Sequence, residues 1–186
     1  MAFAGRLVKE KGVDVLLRAF AKVAATVPEA KLLVVGDGPD RDRLTALAAE
    51  LKLQSCVAFL GHLSRDEMER ELNAAWVQVV PSLWAEPFGI VAPEAMMRGT
   101  AVVASKAGGL SEIVQDGRTG FLVPPGAVDP LAQKLIQILC DRSLAERLGR
   151  MGREIALSQF SEPVFIDHFV DLYNSLLRNH VSANAA

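Results

Sequence analysis

Val80-Pro81-Ser82-Leu83-Trp84-Ala85-Glu86-Pro87-Phe88-Gly89-Ile90-Val91-Ala92-Pro93-Glu94-Ala95-Met96, with Arg98-Gly99-Thr100-Ala101-Val102-Val103 behind it, decides how the rest of the chain is read. An apolar strand ends at Pro81 and a polar loop carries Glu86. A helix is expected to open near Phe88 with Glu94 two turns in, until Gly99 stops it and a new strand begins. The result is a strand, loop, helix, strand unit with two carboxylates near the strand's carboxyl end, where open α/β sheets place their ligands. Free amides at a helix start around Phe88, Gly89 and Ile90 suit a phosphate or a sugar oxygen, and Gly89 permits close approach. Ionised Glu86 and Glu94 accept hydrogen bonds only, so beside an anion they suit hydroxyls. Plainer roles stay open on local sequence alone: Glu86 as a complement to the helix dipole, Glu94 as a solvated outer-face residue.

Working outward, strands alternate with helices along the whole chain. Val13, Leu16, Leu17, Phe20, Val23 and Ala24 carry the spacing of a one-faced helix over 13–27, closed by Pro28. A strand over 30–35 ends at Gly36-Asp37-Gly38-Pro39, and a helix follows over 41–51. A strand over 56–60 ends at Gly61-His62, and Ser64 with Glu67 forms a capping box for a helix reaching about Asn73. Strands are expected at 76–80, 100–104 and 121–123, a short helix after Gly108-Gly109, and helices over 130–140, 143–157 and 163–177. Residues from Asn179 are expected to fray. Met1-Ala2-Phe3-Ala4 reads as too short for a comfortable central strand, as though the chain began partway into an architecture. Apolar strands without polar alternation indicate a mostly parallel sheet covered on both faces. The expectation is one Rossmann-like three-layer α/β/α domain with six strands.

The 186 residues are 51% hydrophobic and 23% charged, a globular composition, and a chain of this length buries a core without disulfides or metal. Cys56 and Cys140 stand in apolar surroundings far apart in sequence, which reads as buried free thiols in a reducing compartment. No run of 18 apolar residues occurs and no signal-like segment is seen, so a cytoplasmic location is expected. A net charge of -2 argues against nucleic-acid binding, while leaving room for a local anion site near the basic amino end.

That end holds Gly5-Arg6-Leu7 and Lys11-Gly12, bracketing a loop where two cations could clasp a diphosphate; a solvated basic loop is the equal alternative. Gly36-Asp37-Gly38-Pro39 lacks the glycine spacing of the dinucleotide fingerprint and reads first as a tight turn, with Gly36 able to pass close to a ligand. Gly61-His62-Leu63 can offer backbone groups to a base edge, with His62 itself a loop residue. No metal-binding cluster, P-loop or nucleophile elbow is present in the sequence.

Taken in order, Gly5-Arg6-Leu7 with Lys11-Gly12, Gly36-Asp37-Gly38-Pro39, Phe59-Leu60-Gly61, Glu86-Pro87-Phe88-Gly89 with Glu94-Ala95, and Gly117-x-x-Gly120 closely resemble the carboxyl-terminal domain of retaining family 4 (group 1) glycosyltransferases. These are enzymes of the GT-B type, with two Rossmann-like domains and the active site between them. The resemblance covers residues 2–178 and implies that 1–178 is a donor-binding domain, half of a GT-B fold, followed by a frayed tail over 179–186. It implies that Arg6 and Lys11 neutralise the donor diphosphate with help from amides near Gly89 and Ile90. Glu94 would hold the ribose hydroxyls, and Glu86 would contact the donor sugar near the reacting centre. The region from Leu60 to Leu63, with Gly61, His62 and Leu63, would meet the base. Gly5, Gly36 and Phe88 complete the implied donor site.

The implied substrate is a nucleotide diphosphate sugar of the UDP, GDP or ADP type, with no cofactor and no metal. An acceptor glycan, lipid or small molecule would be bound by an amino-terminal domain absent from these residues. The resemblance also allows peripheral association of a whole protein with the inner face of a membrane. Without the second domain, weak donor binding and little or no turnover are expected. The other readings are a non-catalytic nucleotide-sugar-binding or interaction module, and a fragment of a related GT-B phosphorylase or epimerase.

Overall fold

The computed structural model describes residues 1–184. Its six strands form one all-parallel sheet: β1 (Ala2–Ala4), β2 (Leu32–Val35), β3 (Val57–Gly61), β4 (Val77–Val80), β5 (Ala101–Ser105) and β6 (Gly120–Val123), in the order 3-2-1-4-5-6. Eight helices connect and cover them: α1 (Val13–Thr26), α2 (Arg41–Glu50), α3 (Arg65–Leu72), α4 (Val91–Met97), α5 (Leu110–Ile113), α6 (Val128–Leu139), α7 (Arg142–Phe160) and α8 (Glu162–Asn184).

Side chains on each strand divide between the two faces with a period of two, as pleating requires. Val77, Val79, Ala101 and Val103 join α1, α2 and α6 in one apolar cluster that Leu16, Leu17 and Phe20 fill from α1. Val80, Val102 and Ala104 point the other way, toward α4 and α5. A smaller cluster puts Ala2, Ala4 and Val35 under Leu72 of α3. Helix α7 serves both faces: Leu144 and Leu148 join the first cluster, and Ile155 and Ala156 the second. Its crossing point is Gly149, where a Cβ would lie 1.9 Å from the carbonyl oxygen of Gly99. This is the three-layer Rossmann-like domain expected, with its core on both sides of the sheet.

Three expectations need correction. The short segment Ala2–Ala4 is a central strand, hydrogen-bonded between β2 and β4, because its three residues are buried and its neighbours supply both ladders. Helix α4 begins at Val91, not Phe88. Gly89 sits at φ 86°, a left-handed conformation that cannot continue backward as helix. Glu94 therefore lies in the first turn. Helix α8 is described through Asn184, and residues 185 and 186 of the tail lie outside the described residues. Cys140 is exposed and Cys56 half-buried, both as free thiols.

The capping box forms as read: the Glu67 amide donates to Ser64 Oγ at 3.4 Å, and the Ser64 amide donates to Glu67 Oε2 at 2.8 Å. Ser64→Ala is expected to lower the thermal midpoint by about 3 °C, since an N-cap side chain contributes modestly and a chain of this size moves a few degrees for it. Differential scanning calorimetry of the two proteins checks this. An unchanged midpoint would mean that α3 is held by Leu72 alone.

Candidate functional site

The strand order reverses direction between β1 and β4. The chain leaves β1 toward β2 on one side, whereas β4 leads away to β5 on the other. In an open α/β sheet such a reversal leaves a crevice at the carboxyl ends of the strands, because the two loops diverge to opposite faces. Here those loops are residues 5–12, after β1, and residues 81–90, after β4. They are joined at one point by a backbone bond from the Leu83 amide to the Glu10 carbonyl, 2.8 Å. Gly12 makes the junction close, since a Cβ there would stand 2.1 Å from the Pro81 carbonyl oxygen.

Beside this junction three glycines form a ledge over the ends of the first three strands. The Gly5 amide donates to the Val35 carbonyl at 3.0 Å, and the Gly36 amide to the Gly61 carbonyl at 2.7 Å. Gly36, at φ 125°, passes so near Gly5 that a Cβ would meet its carbonyl oxygen at 1.9 Å. A ligand crossing β1, β2 and β3 would therefore meet backbone rather than side chains at these three positions.

One ion pair bridges the crevice. Lys11 Nζ donates to Glu86 Oε1 at 2.5 Å, across 75 positions of sequence. The same oxygen accepts from Ser82 Oγ at 2.6 Å. Glu86 is only 5% exposed and Ser82 wholly buried. Burial pushes the Glu86 carboxyl up, but the Lys11 ammonium and the Ser82 hydroxyl, with a smaller share from the Trp84 indole, outweigh it and hold the group below the usual carboxylate range. Trp84 covers the pair, with Lys11 Nζ 5.9 Å from its ring centre. From beneath, the Gly109 amide donates to the Glu86 carbonyl at 2.8 Å, and Gly108, at φ 54°, lies within close range of the same backbone.

A second feature adjoins the crevice. A groove of about 1050 Å³ is lined by residues of α3 and α4, Glu94 among them, together with His62, Leu63, Arg98 and Arg153. Arg98 donates to Gln78 Oε1 at 2.5 Å, while Gln78 Nε2 donates to the Val91 carbonyl at 3.0 Å. Burial pulls Arg98 below its ordinary value, and Glu94 and Glu69 partly offset that. Glu94 is exposed and among the described residues enters no side-chain hydrogen bond, so its oxygens are available to hydroxyls. Near it, the amides of Gly89 and Ile90 donate to no backbone carbonyl among the described residues.

A family model described as glycosyl transferases group 1 matches residues 1–155. The chain belongs to the group 1 glycosyltransferases. It is 36% identical over 171 residues to an uncharacterised glycosyltransferase of Methanocaldococcus jannaschii, an alignment that takes in 92% of this chain and 43% of that protein. Over the same length it is 33% identical to N-acetyl-alpha-D-glucosaminyl L-malate synthase of Bacillus anthracis, covering 44% of it. Anabaena HepE, solved in complex with UDP and glucose, superposes with a TM-score of 0.86 at 29% identity, covering 94% of this chain and 47% of HepE. The chain spans about half the length of the relatives it matches.

The structure brings Lys11 and Glu86 into contact and places Gly5, Gly36 and Gly61 on one ledge. His62, Leu63 and Glu94 share the groove. Arg6 is exposed at the loop after β1, and among the described residues it enters no side-chain ion pair. Phe88, Gly89 and Ile90 precede α4 instead of opening it, with the Phe88 ring edge-on to Phe160 at 5.7 Å and Ile90 63% exposed. Sequence reasoning missed Ser82 and Trp84. The available signal was their place between the end of β4 and Glu86, where any side chain must turn toward the crevice or away from it.

Proposed function

We propose that residues 1–178 of this chain are the donor-binding domain of a retaining glycosyltransferase, which moves a sugar from a nucleotide diphosphate sugar to an acceptor hydroxyl. The observation that carries the reading is the Lys11–Glu86 pair across the strand-order reversal. It sets a cation and a carboxylate side by side where such sheets bind ligands.

Glycosyl transfer builds positive charge on the sugar ring and negative charge on the departing diphosphate. Lys11 and Arg6 stabilise the second, with the Gly89 and Ile90 amides beside them. Glu86, kept ionised by its neighbours, accepts from the donor sugar and faces the developing positive charge. Glu94 holds the ribose hydroxyls at the mouth of the groove, and the backbone at Gly61, His62 and Leu63 meets the base. The glycine ledge lets the nucleotide lie against the strand ends. HepE, solved with UDP and glucose, makes a UDP-sugar the first donor to try. The acceptor is a glycan, lipid or small molecule bound by a second domain, and α8 offers that domain an apolar stripe. Phe165, Phe169, Leu172, Tyr173 and Leu176 all stand exposed on it. No helix among the described residues is long and apolar enough to cross a membrane.

Calorimetric titration of the chain with UDP, GDP and ADP tests the reading. One of the three is expected to saturate at millimolar concentration or below, and no saturable binding by any of them in a folded protein would sink it. Glu94→Gln is expected to weaken the nucleotide that binds by about tenfold, as a charged acceptor becomes a neutral one. Unchanged affinity would remove Glu94 from the ribose.

A further inference from the structure

Ser82 is wholly buried at the end of β4 and out of reach of any ligand in the crevice. Its hydroxyl proton goes to Glu86 Oε1 at 2.6 Å, the oxygen that also accepts from Lys11. Neither bond uses Oε2. The two donors differ in what a bound diphosphate does to them. Lys11 is part-exposed, and an incoming diphosphate competes with Glu86 for its charge. Ser82 is neutral and enclosed, so its bond to Glu86 persists when Lys11 is drawn away. The Leu83 amide, bonded to the Glu10 carbonyl, fixes the backbone on which Ser82 sits.

We propose that Ser82 is a positioning residue for donor binding: it anchors Glu86 through Oε1 and so leaves Oε2 to a hydroxyl of the donor sugar. The proposal rests on the donor-binding reading above, and it assigns Ser82 a role exercised only through Glu86. A hydroxyl that merely satisfies its own burial would support the fold without discriminating between ligands with and without a sugar.

The test uses UDP and UDP-glucose as probes, titrated calorimetrically into the 186-residue chain and into its Ser82→Ala, Ser82→Thr, Glu86→Ala and Ser82→Ala/Glu86→Ala variants. Ser82→Ala is expected to weaken UDP-glucose about tenfold, the scale of one charge-assisted hydrogen bond, while UDP, which lacks the sugar, binds as before. Ser82→Thr keeps the hydroxyl and restores the affinity. In the Glu86→Ala background, Ser82→Ala adds no further loss. Equal weakening of UDP and UDP-glucose, or a full additional loss in the Glu86→Ala background, would overturn the proposal.

A ligand-free arm separates this from the functional reading. Titration of the Glu86 side-chain carboxyl by NMR is expected to move upward in Ser82→Ala and to stay in place in Ser82→Thr. If UDP-glucose fails to bind even the unaltered chain, the donor is not UDP-glucose, and the functional reading stands or falls on the UDP, GDP and ADP titrations above. The carboxyl titration then still decides, and an unmoved Glu86 in Ser82→Ala removes the anchoring role.

Discussion

Gly12→Ala is expected to lower stability by about 3 kcal/mol and to weaken nucleotide binding with it. Two costs combine. Gly12 holds φ 66°, a conformation that strains any residue with a Cβ, worth about 1 kcal/mol. The added carbon would also stand 2.1 Å from the Pro81 carbonyl oxygen and 3.1 Å from its carbon. Those atoms belong to the backbone at the end of β4, so relief requires the two loops to part, and overpacking of this kind costs about 2 kcal/mol more. Parting them breaks the contact between the Leu83 amide and the Glu10 carbonyl and moves Lys11 from Glu86. Urea denaturation reads the first effect and calorimetric titration the second. A variant as stable as the parent would show that the junction yields freely and that the site is not built on it.

Lys11→Met carries the other large effect, and its sign depends on pH. At neutral pH the variant leaves a 5%-exposed carboxylate with the Ser82 hydroxyl and a smaller contribution from the Trp84 indole as its remaining stabilising neighbours. Breaking a buried pair costs 3–5 kcal/mol in enclosed sites; the part-exposed Lys11 reduces this to about 2 kcal/mol. In the unaltered chain Glu86 titrates below its ordinary value, so its stabilising contribution is complete above about pH 4.3. It is lost as pH falls through the depressed folded value. In Lys11→Met, burial acts with less opposition, the carboxyl rises, and protonation relieves the penalty. The stability gap between the two proteins is therefore expected to be widest at pH 7 and to close as pH falls through the depressed Glu86 value, as thermal midpoints across an acid series would show. A gap independent of pH would mean that Lys11 acts through packing on Trp84. The variant is also expected to lose at least about tenfold in affinity for a nucleotide diphosphate.

Local physics made most of the fold legible. The spacing of Val13, Leu16, Leu17, Phe20 and Val23 specified α1 and its buried face, and Ser64 with Glu67 marked the start of α3. What escaped was decided by partners distant in sequence. Three residues cannot advertise a central strand, and Ala2–Ala4 is one only because β2 and β4 enclose it. The start of α4 was misplaced because Phe88 and Ile90 look like a helical face, whereas the left-handed Gly89 between them ends any such run and leaves both exposed. Cys140 reads as buried beside Leu139, yet it caps α6 at the surface.

The site divides in the same way. Arg6, Lys11, Glu86 and Glu94 could be picked out through motif resemblance, but not the bond that joins Lys11 to Glu86 before any ligand arrives. Such a pairing depends on the reversal of strand order between β1 and β4, which no local pattern encodes. Ser82 carried only a positional signal for a related reason: a serine after a strand is an ordinary loop residue until the fold places Glu86 on its hydroxyl.

The most direct test of the donor-site account is a crystal structure of the chain with UDP bound. The diphosphate is expected between Lys11 and the Gly89 amide, the ribose hydroxyls on Glu94, and Lys11 Nζ turned from Glu86 Oε1 toward a phosphate oxygen. UDP lying away from the β1–β4 crevice, with the 2.5 Å Lys11–Glu86 pair intact, would contradict it.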